Sequence, residues 1–129
     1  MEKDLSNISD RRTGSRHPIS FPIRLEWKDE KGAEIVEEGL TENIGPTGTL
    51  VHLQRKLPTV GSKVSLMVTE TAETQIQVTA QVLRLERNAA HPQVALQLVG
   101  STRDWEKRVW EYAGKVIAAQ KPEELDDWN

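Results

Sequence analysis

The chain contains no cysteine, which excludes a disulfide framework, a thiolate zinc site and a cysteine nucleophile. Long hydrophobic runs are missing as well. The longest uninterrupted one is four residues, Val116 to Ala119, so nothing in the sequence reads as a transmembrane helix or as the apolar region of a signal peptide. Both absences lead us to expect a cytoplasmic protein without membrane insertion. Aromatic residues are scarce, with a single Phe and a single Tyr. An excess of basic charge is also lacking, since 17 Lys and Arg face 20 Asp and Glu for a formal charge of −3. A general nucleic-acid binder draws much of its affinity from neutralising phosphates, and this balance argues against one.

What is present suffices for one ordinary domain. The 129 residues include 31 Leu, Ile, Val and Phe, about 24% of the chain, which is above the range of intrinsic disorder and enough for a modest core. The charge is unevenly placed. Residues 11–24 carry Arg11, Arg12, Arg16 and Arg24 and no acid, so the remainder carries −7. A focused basic patch on an acidic body suits a small anion better than a polymer. The end of the chain is the opposite, with Lys121 against Glu123, Glu124, Asp126 and Asp127.

Periodicity organises the middle. Ile19, Phe21, Ile23, Leu25 and Trp27 alternate with polar residues and predict a half-buried first strand, with Pro22 implying an edge position or a bulge. A weaker pattern around Val36 and Leu40 predicts a second strand over 34–42. The turn signals of residues 43–48 lead into a third over 49–53. After Leu57-Pro58-Thr59-Val60-Gly61 comes a fourth over 63–68. Ile76, Val78, Ala80 and Val82 form the clearest strand of all. Leu83 and Leu85 continue it on the opposite phase, as a bulge would produce. A sixth strand follows over 93–99. Only the end reads as helix: Ser101 to Asp104 resembles a capping box, and Trp105, Val109, Tyr112 and Val116 form one apolar stripe. Six short strands and one amphipathic helix predict a small antiparallel barrel with the helix packed on it.

Catalytic chemistry finds little support. His17, His52 and His91 are far apart and lack metal-ligand spacing, and no nucleophile elbow, P-loop or dinucleotide fingerprint occurs. We therefore expect no enzyme, no cofactor and no metal site. Two segments stand out instead. Arg12 and Arg16 lie four apart in a loop made pliable by Gly14, where guanidinium forks could close on a planar anion, binding phosphate or a guanine edge bidentately. Asn43 offers a donor and an acceptor to a base edge, while Gly45 and Gly48 allow close backbone approach. Taken singly, the first could be a solvated basic tail and the second a tight turn.

Taken together, the ordered set resembles the PilZ domain family, bacterial receptors for cyclic di-GMP. The family pattern is an R-x-x-x-R loop before the first strand, then [D/N]-x-S-x-x-G roughly 25 to 30 residues later. Leu57-Pro58-x-Val60-Gly61 resembles the family's turn into its fourth strand, and Val94 to Val99 its last strand before the helix. The likeness runs from about Arg11 to Tyr112. It implies a mainly β fold, a six-stranded antiparallel barrel with a C-terminal α-helix. It also implies that Arg12 and Arg16 clasp guanine and phosphate, that Asn43 bonds a guanine edge, and that Gly48 gives the turn its close approach. Arg11 occupies a position associated with how many ligand molecules stack in the site. One position departs: Gly45 stands where the family has serine.

The organisation expected is a flexible tail over 1–10, a domain over 11–120 and an acidic disordered tail over 121–129. Within the domain, residues 11–18 form the arginine loop, 19–100 the barrel and 101–120 the helix. The function expected is that of a stand-alone cyclic di-GMP effector that signals by changed contacts with an unidentified effector protein, not with nucleic acid. Two alternatives compete with it. One is a degenerate module that no longer binds nucleotide, which Gly45 would suit. The other is a barrel for single-stranded nucleic acid, but that needs aromatic platforms, whereas Phe21 and Trp27 fall on the apolar phase of the first strand.

Overall fold

The computed structural model describes residues 16–72 and 75–127, with side chains up to residue 120. The tail over 1–10 and the site candidates Arg11 and Arg12 lie outside the described residues. Six strands form: β1 (Pro22–Lys28), β2 (Glu34–Ile44), β3 (Gly48–Leu53), β4 (Lys63–Val68), β5 (Ile76–Glu86) and β6 (Gln93–Leu98). They pair antiparallel in the order β1-β2-β3-β6-β5-β4, and β4 pairs back onto β1. Closure gives each of the six strands a neighbour on both sides. The interior is filled by alternate residues of each strand, among them Ile23, Leu25, Val51, Leu53, Leu66, Val68, Val82 and Val94.

The first strand starts later than its apolar pattern suggests. Pro22 is its first residue, where a missing N–H costs no ladder bond. Residues 19–21 are held instead by one buried side chain. Thr41 Oγ1 accepts from Phe21 N (2.8 Å) and donates to the Ile19 carbonyl (2.6 Å), and Thr41 N donates to the Phe21 carbonyl.

The phase expected for β2 is also corrected. Val36 and Leu40 are exposed, while Glu37 and Thr41 are buried. Gly39 shares their inward phase, and a Cβ on it would collide with the His52 carbonyl of β3. The wall is too tightly apposed at that point for a large residue, so the apolar side chains face outward. In β5 the register shifts between Val82 and Arg84, leaving Leu83 outside, as the phase change in the sequence implies.

After β6 the chain turns at Gly100 and Ser101, both left-handed (φ 83° and 56°). The expected capping box does not form. A left-handed Ser101 lacks the extended backbone from which its hydroxyl would meet the first helical N–H groups, and it makes no side-chain cap bond. The helix comprises a short α1 (Thr102–Trp105), a π-helical turn (Glu106–Trp110) and α2 (Glu111–Asp127). The wider turn delays the phase by about one residue. Among the described side chains of the helix, Trp105, Val109 and Ala113 are consequently the fully buried ones, while Tyr112 is half-buried and its ring lies 5.8 Å from that of Phe21. The helix passes Pro122 to reach Asp127, whereas the sequence predicts an end near 120 followed by a disordered tail.

Candidate functional site

One mouth of the barrel gathers most of the residues singled out by the sequence. The hairpin between β2 and β3 turns through Gly45, Pro46 and Thr47, closed by a bond from Gly45 N to the Gly48 carbonyl (2.8 Å). Upstream, the β2–β3 register shifts between Thr41 and Asn43. This bulge at Glu42 restores Ile44 to the core and leaves Asn43 half-buried at the rim. Thr49 Oγ1 donates to the Asn43 carbonyl (2.6 Å), fixing the backbone there.

The arginine loop meets this turn. Nη1 of Arg16 donates to Oδ1 of Asn43 at 2.7 Å, across 27 residues of sequence. Next to it, His17 and Ile44 exchange two backbone hydrogen bonds (2.8 and 2.9 Å) as an isolated bridge. Arg16 is exposed, so its guanidinium keeps donors available to a second acceptor. A cation and a carboxamide thus stand side by side on the rim, a set that can bind an anion and a base edge at once.

The glycines have separate explanations. A Cβ on Gly48 would lie 2.5 Å from the Leu96 carbonyl of the neighbouring strand. Close approach of β3 to β6 therefore suffices to require glycine at 48. Gly45 is different: a Cβ there would lie 3.5 Å from the Gly48 carbonyl and 3.6 Å from Nη1 of Arg16. That is ordinary contact distance, and Gly45 is not among the glycines with positive φ. The position that departs from the family serine is one where a Cβ fits.

The floor of the site comes from the helix, whose apolar stripe in the sequence predicts only a place in the core. The indole N–H of Trp105, fully buried, donates to the Gly45 carbonyl at 2.8 Å. A buried Trp needs a partner for that N–H, and the opening apolar residue of the helix is well placed to find one at the rim. His17 stacks on Trp110 with ring centroids 5.2 Å apart. Away from the site, His52 and His91 stack at 4.1 Å and His91 meets Glu42, a meeting invisible in the sequence. A cleft of about 480 Å³ at the β1–β2 turn is lined by Trp27, Asp29, Lys31 and Leu57, and none of the described site candidates, Arg16, Asn43, Gly45 and Gly48, borders it.

The family model of the PilZ domain matches residues 10–114. The chain belongs to the PilZ domain family. This PilZ barrel is similar in structure to the Bacillus subtilis inhibitor of motility (MotI/DgrA), with 18% identity and a TM-score of 0.62 over 83% of this chain and 51% of that one. It is also similar to Escherichia coli YcgR in complex with c-di-GMP, at 13% identity and a TM-score of 0.63 over 88% of this chain and 49% of that one. The PilZ domain of YcgR with c-di-GMP gives 12% identity and a TM-score of 0.61, over 86% and 94% respectively. At such identities the likeness is one of fold. This PilZ chain spans about half the length of the first two proteins and nearly all of the isolated domain. No curated protein matches it.

Proposed function

We propose that this PilZ domain binds cyclic di-GMP at the rim formed by Arg16, Asn43 and the Gly45–Gly48 turn, and acts through changed protein contacts rather than catalysis. The observation that carries the reading is the 2.7 Å contact between Arg16 and Asn43. Two motifs that the sequence separates stand together at the mouth of the barrel. In this reading Arg16 takes phosphate and the guanine edge as a fork, and Asn43 turns its carboxamide to guanine once a ligand replaces their mutual bond. Arg12 closes from the other side as the second arm of the R-x-x-x-R loop, and Arg11 favours a stacked pair of ligands. Binding changes the surface at this rim, and a protein partner in the cytoplasm reads it. Gly45 forgoes one hydroxyl contact, worth roughly 0.5 to 1.5 kcal/mol, which weakens binding without removing its charged core.

Calorimetric titration with cyclic di-GMP, beside GTP and a short oligonucleotide, tests the reading. Saturable binding of cyclic di-GMP alone, with a raised melting temperature, is expected. No binding near 100 μM, an order-of-magnitude limit for a useful receptor of about −5.5 kcal/mol, would leave a degenerate module. Binding of the oligonucleotide alone would overturn both.

A further inference from the structure

We propose that His17 is the positioning residue of the clasp, its ring seated between Trp110 and the bare backbone of Gly114 so that Arg16 is held within reach of Asn43. The inference rests on the reading that Arg16 meets cyclic di-GMP, and it assigns work to the residue that follows Arg16.

Arg16 is exposed and precedes the first strand, so something must fix its backbone. The bridge from His17, itself outside any strand, to Ile44 at the end of β2 does so with two hydrogen bonds. An isolated bridge is easily opened. What reinforces it is the His17 side chain. Its ring lies nearly parallel to that of Trp110, with centroids 5.2 Å apart and planes 21° from each other. Beyond Trp110 the ring rests on Gly114, where a Cβ would come within 2.9 Å of Nε2 and 3.3 Å of Cε1.

Glycine inside a helix is unfavourable relative to alanine, and Gly114 has no positive φ to justify it. The ring supplies the reason. The π-helical turn also ends at Trp110, so the helix departs from α geometry where it receives the ring. A mid-helix glycine, a π turn and an aromatic stack thus converge on one imidazole, one residue from Arg16.

The test is Gly114→Ala, which leaves His17 and Arg16 in place but fills the seat. The atoms that must give way are the far end of a side chain, so the barrel stays intact and the helix itself gains from alanine. Two quantities are read on the full chain: amide exchange at His17 and Ile44 without ligand, and affinity for cyclic di-GMP. We expect faster exchange at those two amides with Val51 and Leu66 unchanged. A fall of the competent fraction to about a tenth weakens affinity about ten-fold. His17→Ala should do the same, while His17→Phe, which keeps a ring on Trp110, should hold affinity within about two-fold. Unchanged exchange at His17 and Ile44 in both Gly114→Ala and His17→Ala overturns the proposal. A His17→Phe loss equal to that of His17→Ala also overturns it, since the stack would then be irrelevant. Should the unaltered chain bind no cyclic di-GMP, the receptor reading fails by itself and the exchange measurement still decides the seat.

Discussion

Replacing Gly45 by serine adds a hydroxymethyl group to a turn that has room for it. The backbone at Gly45 has no positive φ, and the new Cβ would find its nearest neighbours at 3.5 to 3.7 Å, the Gly48 carbonyl and the Arg16 side chain. No strain term opposes the change, and fewer unfolded conformations remain to be lost. The free protein should gain roughly 0.4 to 1 kcal/mol. Gly45 is buried, and Nη1 of Arg16 and the Gly48 carbonyl, the polar atoms nearest the new Cβ, are the groups the hydroxyl should bond. It also stands beside the guanidinium assigned to the ligand. One neutral hydrogen bond of roughly 0.5 to 1.5 kcal/mol should tighten cyclic di-GMP binding by about two- to thirteen-fold. Urea unfolding measures the first effect and calorimetry the second. Unchanged affinity would mean that the turn does not meet the ligand, and a loss of stability would mean that the turn does not accommodate the side chain.

Gly48→Ala should behave oppositely. Its Cβ meets the Leu96 carbonyl at 2.5 Å, so β3 and β6 must separate, at a cost of roughly 3 kcal/mol in denaturant unfolding. Trp105→Phe removes the donor to the Gly45 carbonyl. The orphaned buried acceptor should cost about 1 to 3 kcal/mol, and a loosened turn should weaken ligand binding in calorimetry as well. Ser101→Gly relieves a left-handed serine that makes no cap bond, and should raise the unfolding free energy by about 1 kcal/mol at unchanged m-value.

The barrel was legible because its strands alternate cleanly where both faces have simple demands. In β5 the residues from Ile76 to Val82 point in and out by parity, and even the bulge at Leu83 shows as a change of phase. β2 was misread because its interior positions are not apolar. Gly39 is set by the proximity of β3, Thr41 by the bonds it makes to residues 19–21, and Glu37 by Arg55 at 3.6 Å. These are tertiary requirements without a periodic signature. The capping residues Ser101 and Asp104 matched a pattern whose backbone condition fails once Ser101 is left-handed. At the site, residue types and order pointed to Arg16, Asn43 and Gly45, which the fold brings to one rim. The contributions of Trp105, Trp110 and Gly114 were hidden, since an apolar helical stripe does not say which of its members reaches a carbonyl or an imidazole outside the helix.

The central claim is that Arg16 and the Asn43 turn form a specific clasp for cyclic di-GMP, and calorimetry on Arg16→Ala and Arg24→Ala tests it most directly. Arg24 belongs to the same basic segment but lies in β1, opposite Glu38 of β2 and Met67 of β4. Losing a charge-assisted contact at Arg16 should cost roughly 2 to 4 kcal/mol, about 30- to 1,000-fold in affinity, while Arg24→Ala should change it by less than about three-fold. Stability without ligand should hardly move for Arg16→Ala, since its bond to Asn43 is exposed. Equal losses for the two substitutions, both erased by added salt, would mean a diffuse basic patch and contradict the clasp.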